Sequence, residues 1–404
     1  MNFDPWTNIL SHFKFKEIIT MTLINKPIYL ICRDLKWTKT PTIILSLLPK
    51  LSTEMLINMP YIKGLIADYV EQEDIQYFSH LNYLKLISVK LDISSLTNLT
   101  SLNIADRLLN NLPLVNLRTL KLSAKTNVDI SSLTNLTYLR ASRYTTNDMI
   151  INMTNLVKLK CYDSISEVNH LSNLTSLRAV NNNDTITNIS NLINLVDLTV
   201  PSQVINISNL TNITSLCCNH LIDDITSLTK LTDLELKHNL LPISNISKLT
   251  RLTTDFNITD DYVMKLTNLT ILNSQSRRFL TDLGISNLIN LTCLYSESIN
   301  FTDRAYSQLT KLEYISCNIS NQAIVKLPNL KSLNGREHLD DQTLQQLTGL
   351  KKLFLNRNNI VTEDGVRNLT NLRSLDITRN ANFTKGGIKN LRLKTFYHNN
   401  NPNF

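Results

Sequence analysis

The stretch Leu228-Thr229-Lys230-Leu231-Thr232-Asp233-Leu234-Glu235-Leu236-Lys237-His238-Asn239-Leu240-Leu241 carries the pattern that decides the fold. Leu228, Leu231 and Leu234 stand three apart. The period then falls to two: Leu234 and Leu236 share one side, and Asp233, Glu235 and Lys237 the other. Period two marks a short strand with one buried and one open face. Asn239 follows where the chain must turn, and an Asn side chain satisfies turn backbone groups. One such strand cannot bury its leucines alone. The phrase recurs, with its middle apolar residue at Ile62, Leu81, Leu99, Leu117, Leu136, Leu156, Leu174, Leu195, Ile213, Leu231, Leu249, Leu269, Leu291, Leu312, Leu330, Leu350 and Leu372, at spacings of 18 to 22 residues. An eighteenth unit, around Leu391, has slipped out of frame. Units stacked side by side bury their apolar rows together in one continuous core.

The fullest units read L-x-x-L-x-L-x-x-N-x-L, as in Leu231 to Leu241 and again in Leu350, Leu353, Leu355, Asn358 and Ile360. This resembles the leucine-rich repeat family over residues 59–400. The resemblance implies an α/β solenoid: a curved parallel sheet of about 17 short strands, each centred near the third leucine of its triplet. The turn asparagine is filled only by Asn182, Asn239, Asn257, Asn358 and Asn380, so the turns should be less regular than the family pattern. Cys161, Cys218 and Cys317 occupy the slot of Leu236, which reads as burial. Early units carry a D-I-S-S-L back segment such as Asp92 to Leu96, room for a turn or a 3₁₀ piece. Later units open with Thr259-Asp260-Asp261, Thr302-Asp303, Asp340-Asp341 or Thr362-Glu363-Asp364, residue types that cap helices. Because the paired acids recur at one repeat phase, capping explains them better than acid–base catalysis.

Composition limits the function. The chain has 404 residues, 42% hydrophobic and 18% charged, with a net charge of +8, and is too apolar to be disordered. Leu (70) and Asn (51) dominate, as a repeat requires. The seven glycines form neither a dinucleotide nor a phosphate loop, and no G-x-S-x-G or H-E-x-x-H occurs. The seven histidines share no repeat phase, and the six cysteines form no C-x-x-C pair. These readings predict no enzyme, no cofactor, no metal and no small-molecule substrate. Aromatics are not interleaved with a basic run, so no nucleic acid is expected, and no apolar run approaches the roughly 18 residues of a membrane span. Asp4, Thr7, Asn8 and His12 interrupt any leader at the start, so the expected location is intracellular and cytoplasmic. On that expectation the N-x-S/T triplets, such as Asn98-Leu99-Thr100, are by-products of the L-T-N-L-T phrase and not glycan sites. The same absence of a leader argues against a bacterial adhesin of the internalin type, which shares such units.

Residues 1–58 lack the repeat. Pro5, Ile9, Leu10, Glu17, Ile18, Ile19, Leu23 and Lys26, closing on Trp37, resemble a degenerate F-box, although Pro27 and Ile28 depart from its pattern. Together with the repeats, the layout is similar in style to F-box proteins of giant amoeba viruses, which would place it in host cytoplasm. The resemblance implies that residues 1–40 form a small helical module docking on the Skp-type adaptor of a cullin-RING ubiquitin ligase, with the repeats holding the target. The alternative is that residues 1–58 only cap the solenoid. Residues 41–58 read as a linker helix, with Pro41 near its start and Pro60 beyond it.

The register assigns the outward strand positions on the expected concave face. In the first half they include Tyr83, Lys85, Lys121, Tyr138, Arg140, Lys158, Lys160, Tyr162 and Arg178. Basic and aromatic residues on a rigid sheet suit a protein or acidic-peptide partner. Farther on the sign changes at Asp197, Asp233, Glu235 and Asp255, and a looser aromatic group follows at Tyr295, Tyr314 and Phe354 beside Arg336 and Lys352.

Overall fold

The computed structural model describes residues 42–44, 63–67, 72–87, 91–105, 112–180, 186, 188–204, 207–221, 225–237, 246–255, 257–335, 338–356, 358–399, 401 and 403. The F-box-like residues, Trp37 included, lie outside them. Two compact units divide the chain, Met1–Ile186 and Thr187–Phe404.

In the first unit every strand pairs in parallel with the next in sequence: β1 (Thr42–Ile44), β2 (Gly64–Ala67), β3 (Tyr83–Leu86), β4 (Ser101–Ile104), β5 (Thr119–Leu122), β6 (Tyr138–Arg140), β7 (Lys158–Cys161) and β8 (Ser176–Ala179). Leu84, Leu102, Leu120, Leu139, Leu159 and Leu177 face one another across consecutive strands and are buried, as the triplet pattern requires. The second unit repeats the rule through β9 (Asp197–Val204), β10 (Ser215–Leu221), β11 (Asp233–Leu236), β12 (Arg251–Thr254), β13 (Ile271–Ser274), β14 (Cys293–Ser296), β15 (Tyr314–Ser316), β16 (Ser332–Asn334), β17 (Lys352–Phe354), β18 (Ser374–Asp376) and β19 (Thr395–Tyr397).

Two of these strands correct the sequence reading. The linker segment 41–58 holds a strand, β1, paired with β2, where a helix is expected. The slipped last unit is restored by β19: its Phe396 lies opposite Leu375, so the middle residue is Leu393 and not Leu391.

The repeated L-T-N-L-T phrase turns out to be a hydrogen-bonding device. The Asn before the middle leucine donates its Nδ2 to a carbonyl of the preceding unit: Asn98 to Ser79 at 2.8 Å, Asn116 to Thr97 at 2.9 Å, Asn135 to Val115 at 3.0 Å. In the second unit Asn212, Asn268 and Asn290 do the same to Ile193, Ser247 and Thr267. The Thr after the middle leucine donates its hydroxyl backward too, as Thr137 does to Arg118 and Thr250 to Thr232. Each bond is worth about 1 kcal/mol net.

Of the five expected turn asparagines, Asn358 and Asn380 are buried in their turns, Asn257 is exposed, and Asn182 and Asn239 lie outside the described residues. Asn358 is fully buried, donates to the Leu339 carbonyl and accepts from the Ile360 and Val361 amides. This geometry buries Val361 and leaves Ile360 half exposed, one residue off the sequence assignment. Elsewhere two serines share the work. Ser276 donates to the Ile258 carbonyl, while Ser274 accepts from the Ser276 amide. Ser298 and Ser296 repeat the arrangement with Leu280.

The cap-like phrases of the later units mark helix starts, as expected, although Thr259 makes no side-chain cap bond and the helix after Ser320 has no acid in its first turn. Helices Asp260–Val263, Asp282–Ile285, Asn321–Ile324, Asp341–Gln346 and Glu363–Val366, and a 3₁₀ turn Asp303–Tyr306, begin after Thr259, Thr281, Ser320, Asp340, Thr362 and Thr302 respectively. The first helical carboxylate also reaches forward. Asp260 accepts from the Thr281 amide and hydroxyl, Asp282 from those of Thr302, Asp341 from those of Thr362, and Glu363 from those of Thr384. Glycines make room for these carboxylates. A Cβ on Gly284 would lie 2.4 Å from Asp260 Oδ1, and one on Gly365 2.3 Å from Asp341 Oδ1. No described glycine has a positive φ, so close approach, and not backbone freedom, is their use here.

Cys161, Cys218 and Cys317 are buried in the leucine slot. Desolvation pushes the Cys161 and Cys218 thiols up to about 12 each, with Asp163 and Cys217 adding smaller effects.

A candidate partner-binding face

The alternation that buries Leu84, Leu120 and Leu159 turns their neighbours outward, and parallel pairing sets those neighbours in rows. One row runs Lys85, Asn103, Lys121, Arg140, Lys160, Arg178, each residue opposite the next across adjacent strands. A second runs Tyr83, Ser101, Thr119, Tyr138, Lys158, Ser176. Adjacent strands lie about 4.8 Å apart. Lys121, Arg140, Lys160 and Arg178 therefore form four consecutive cationic rungs, with Lys158 beside them. Lys85 is set apart by the neutral Asn103. The strand residues of these two rows on β3–β8 include no acid.

Crowding leaves its mark on the middle of the row. The Lys160 pKa is lowered, first by partial burial and then by the Arg140 and Arg178 charges. Tyr138 shares the load: the Lys121 ammonium stands 5.5 Å from its ring centroid, a contact worth about 0.5–1 kcal/mol at an exposed site.

Eight of the nine expected residues lie on this face. The exception is Tyr162, which is buried, only 8% exposed. Strand β7 ends at Cys161, so the alternation stops and the ring tucks in. Arg143, which the sequence did not single out, lies 5.7 Å from its ring centroid. The only signal available for Arg143 was its place two residues past a core slot.

In the second unit the aromatic group is looser than the first cluster. Tyr295 lies opposite Ser316 and Tyr314 opposite Cys293, so the two are diagonal neighbours, while Phe354 lies opposite Asn334 on β16. Arg336 is outside the described residues. Asp233 is paired with Arg251 at 3.4 Å. Among the described residues no group of three or more His, Cys, Asp or Glu is placed to hold a metal, and no helix is long and apolar enough to cross a membrane.

No family model matches the chain, and no curated protein matches it. Solved structures do. A leucine-rich repeat protein of Leptospira interrogans aligns with a TM-score of 0.51 at 23% identity, over 82% of this chain and 94% of that one. The fold is a leucine-rich repeat solenoid. TLR13, solved in complex with ssRNA13, aligns with a TM-score of 0.53 at 20% identity, over 89% of this chain and 65% of that one. At these identities the likeness is one of fold. The cationic rungs occupy the outward positions of consecutive units, and the Asn, Thr and Leu positions supply the frame that fixes them.

Proposed function

We propose that this leucine-rich repeat chain is a non-enzymatic binding module that holds an acidic protein partner on the outward face of β3–β8. The in-register row Lys121, Arg140, Lys160, Arg178 supports the reading. Like charges on adjacent strands oppose folding slightly, and a rigid sheet holds them at fixed spacing. An acidic partner turns that repulsion into attraction, which raises the association rate and makes it salt-sensitive. The test is Lys158→Glu with Lys160→Glu, read by co-purification from cells and by thermal melting. Both are surface residues, so each change shifts stability by no more than about 0.5 kcal/mol. An unchanged melt with partners lost supports the reading; the same partners at the same yield would remove it.

The F-box resemblance extends the proposal. Through Pro5, Ile9, Leu10, Glu17, Ile18, Ile19, Leu23 and Lys26 the chain would dock on a Skp-type adaptor in the cytoplasm and present its target to a cullin-RING ligase. The support is the sequence pattern alone. Leu10→Ala with Ile19→Ala should abolish adaptor binding in a pulldown and leave the repeats folded. If the unaltered chain does not bind the adaptor at micromolar concentration, the ligase link falls and a scaffold with residues 1–58 as its cap remains.

A further inference from the structure

We infer that the partner presents its acids to this face from an α-helix, as a stripe of Asp or Glu at positions i, i+3, i+7 and i+10. This rests on the acidic-partner reading above and goes one step beyond it, to the backbone form of the ligand.

The row sets the ruler. Lys121, Arg140, Lys160 and Arg178 sit on β5, β6, β7 and β8, three strand steps in all. At about 4.8 Å per step the row is about 14 Å long. An extended peptide lying along it places same-side side chains about 6.7 Å apart, two residues at a time. It spans the row with three carboxylates, and the middle one falls between rungs. A helix rises about 1.5 Å per residue, so carboxylates at i, i+3, i+7 and i+10 fall at about 0, 4.5, 10.5 and 15 Å along its axis. Each of the four lies within about 1 Å of a rung, a mismatch that flexible Lys and Arg stems absorb.

The width of the face agrees. Its strands are three or four residues long, about 10–13 Å, close to the 10–12 Å diameter of a helix with its side chains. Beside the cations runs the neutral part of the second row, Thr119 and Tyr138, with Lys158 at its far side. A helix seated on the cations lays one shoulder over Tyr138, whose ring already carries the Lys121 ammonium. The partner stripe is therefore acidic along its centre, with an apolar or small residue flanking it near the second acid.

The experiment uses the full chain, three fluorescent peptides of matched length and charge, each about 16 residues long and carrying four Glu, and a fluorescent poly-uridine strand. An isolated helix of this length is marginal, so the first peptide is stapled on its far side and carries Glu at i, i+3, i+7 and i+10. The second carries Glu at i, i+2, i+4 and i+6 without a staple. The third keeps the spacing of the first but has its helix interrupted by a central Pro. Fluorescence anisotropy at low salt should show the stapled peptide binding at least about tenfold tighter than the other two, with the difference reduced by added salt. Arg140→Glu with Lys160→Glu should bring it down to their level at an unchanged melting temperature. If that variant melts early, Arg140→Gln with Lys160→Gln takes its place. Equal binding of all three peptides would overturn the helical form and leave the acidic partner standing. If none binds, or if only a poly-uridine strand does, the acidic-partner reading falls and the inference with it.

Discussion

Replacing Gly365 by Ala should destabilise the second unit, and removing the Asp341 carboxylate should cancel that effect. A Cβ at Gly365 would meet Asp341 Oδ1 at 2.3 Å, with Asp341 Cγ and Cα both at 3.0 Å. The carboxylate cannot stay where it is. In place, its Oδ1 accepts the Thr362 amide at 2.8 Å and its Oδ2 the Thr362 hydroxyl at 2.6 Å. Hydrogen bonds to charged groups contribute about 1.5–3 kcal/mol each, and water replaces part of that at a half-buried site, so losing both should cost about 2–4 kcal/mol. Alanine gives back about 1 kcal/mol through helix propensity. Gly365→Ala should therefore cost about 1–3 kcal/mol. In an Asp341→Ala background only the close approach to the backbone of residue 341 remains, which a small shift of the chain relieves. There the same substitution should be neutral or slightly stabilising, a coupling of about 2–3 kcal/mol in the double-mutant cycle. Urea unfolding followed by circular dichroism measures all four proteins, and hydrogen exchange at the Thr362 amide reports the bond itself. A cost for Gly365→Ala that stays within about 0.5 kcal/mol in both backgrounds would refute the claim that this glycine exists to admit the neighbouring carboxylate.

Three further outcomes follow from the frame. Leu234→Asp puts an unpaired charge at a fully buried position between two leucine layers, and neighbouring repeats are coupled; limited proteolysis should cut well beyond its own repeat, and wild-type resistance would show the register to be wrong. Asn135→Ala removes the bond to the Val115 carbonyl and should cost about 0.5–1.5 kcal/mol in a thermal melt, whereas Asn135→Asp, which cannot donate, should cost at least as much; a neutral outcome for both would mean the backward bonds do not matter. Burial raises the Cys161 and Cys218 thiols to about 12 from 9.0. Above pH 9 the unfolded chain loses these protons while the folded chain keeps them, so the stability they allow below pH 9 should fall steadily toward pH 12. Both thiols should resist iodoacetamide at pH 8 until urea is added, and prompt alkylation of the native protein would contradict their burial.

Some of this was legible along the chain. The leucine triplets placed β2–β18 and their stacking, because burial of an apolar side chain depends on a local period that one strand displays in full. The Thr-Asp and Asp-Asp phrases announced helix starts for the same reason: a cap bonds to amides two or three residues away. The outward cations could be named from the register, since alternation fixes which face each residue takes. What failed were readings at the ends of elements. Tyr162 stops alternating once β7 ends, Ile360 yields its core place to Val361 because Asn358 holds both following amides, and β1 forms because the β-branched Thr42, Ile43 and Ile44 suit a strand and pair with β2.

The sequence by itself determined that the chain is a repeat, where each strand sits and which side of it is apolar, because these are one-dimensional consequences of spacing. Only the tertiary structure decided which polar residues bond from one repeat to the next. The Asn and Thr of L-T-N-L-T, the paired serines at Ser274 and Ser276, and the carboxylate of Asp341 with the gap at Gly365 all act on partners about one repeat away. No local period encodes such an interaction. It exists only once stacking has brought residues some twenty positions apart to hydrogen-bonding distance, and the same stacking turns scattered lysines and arginines into a row.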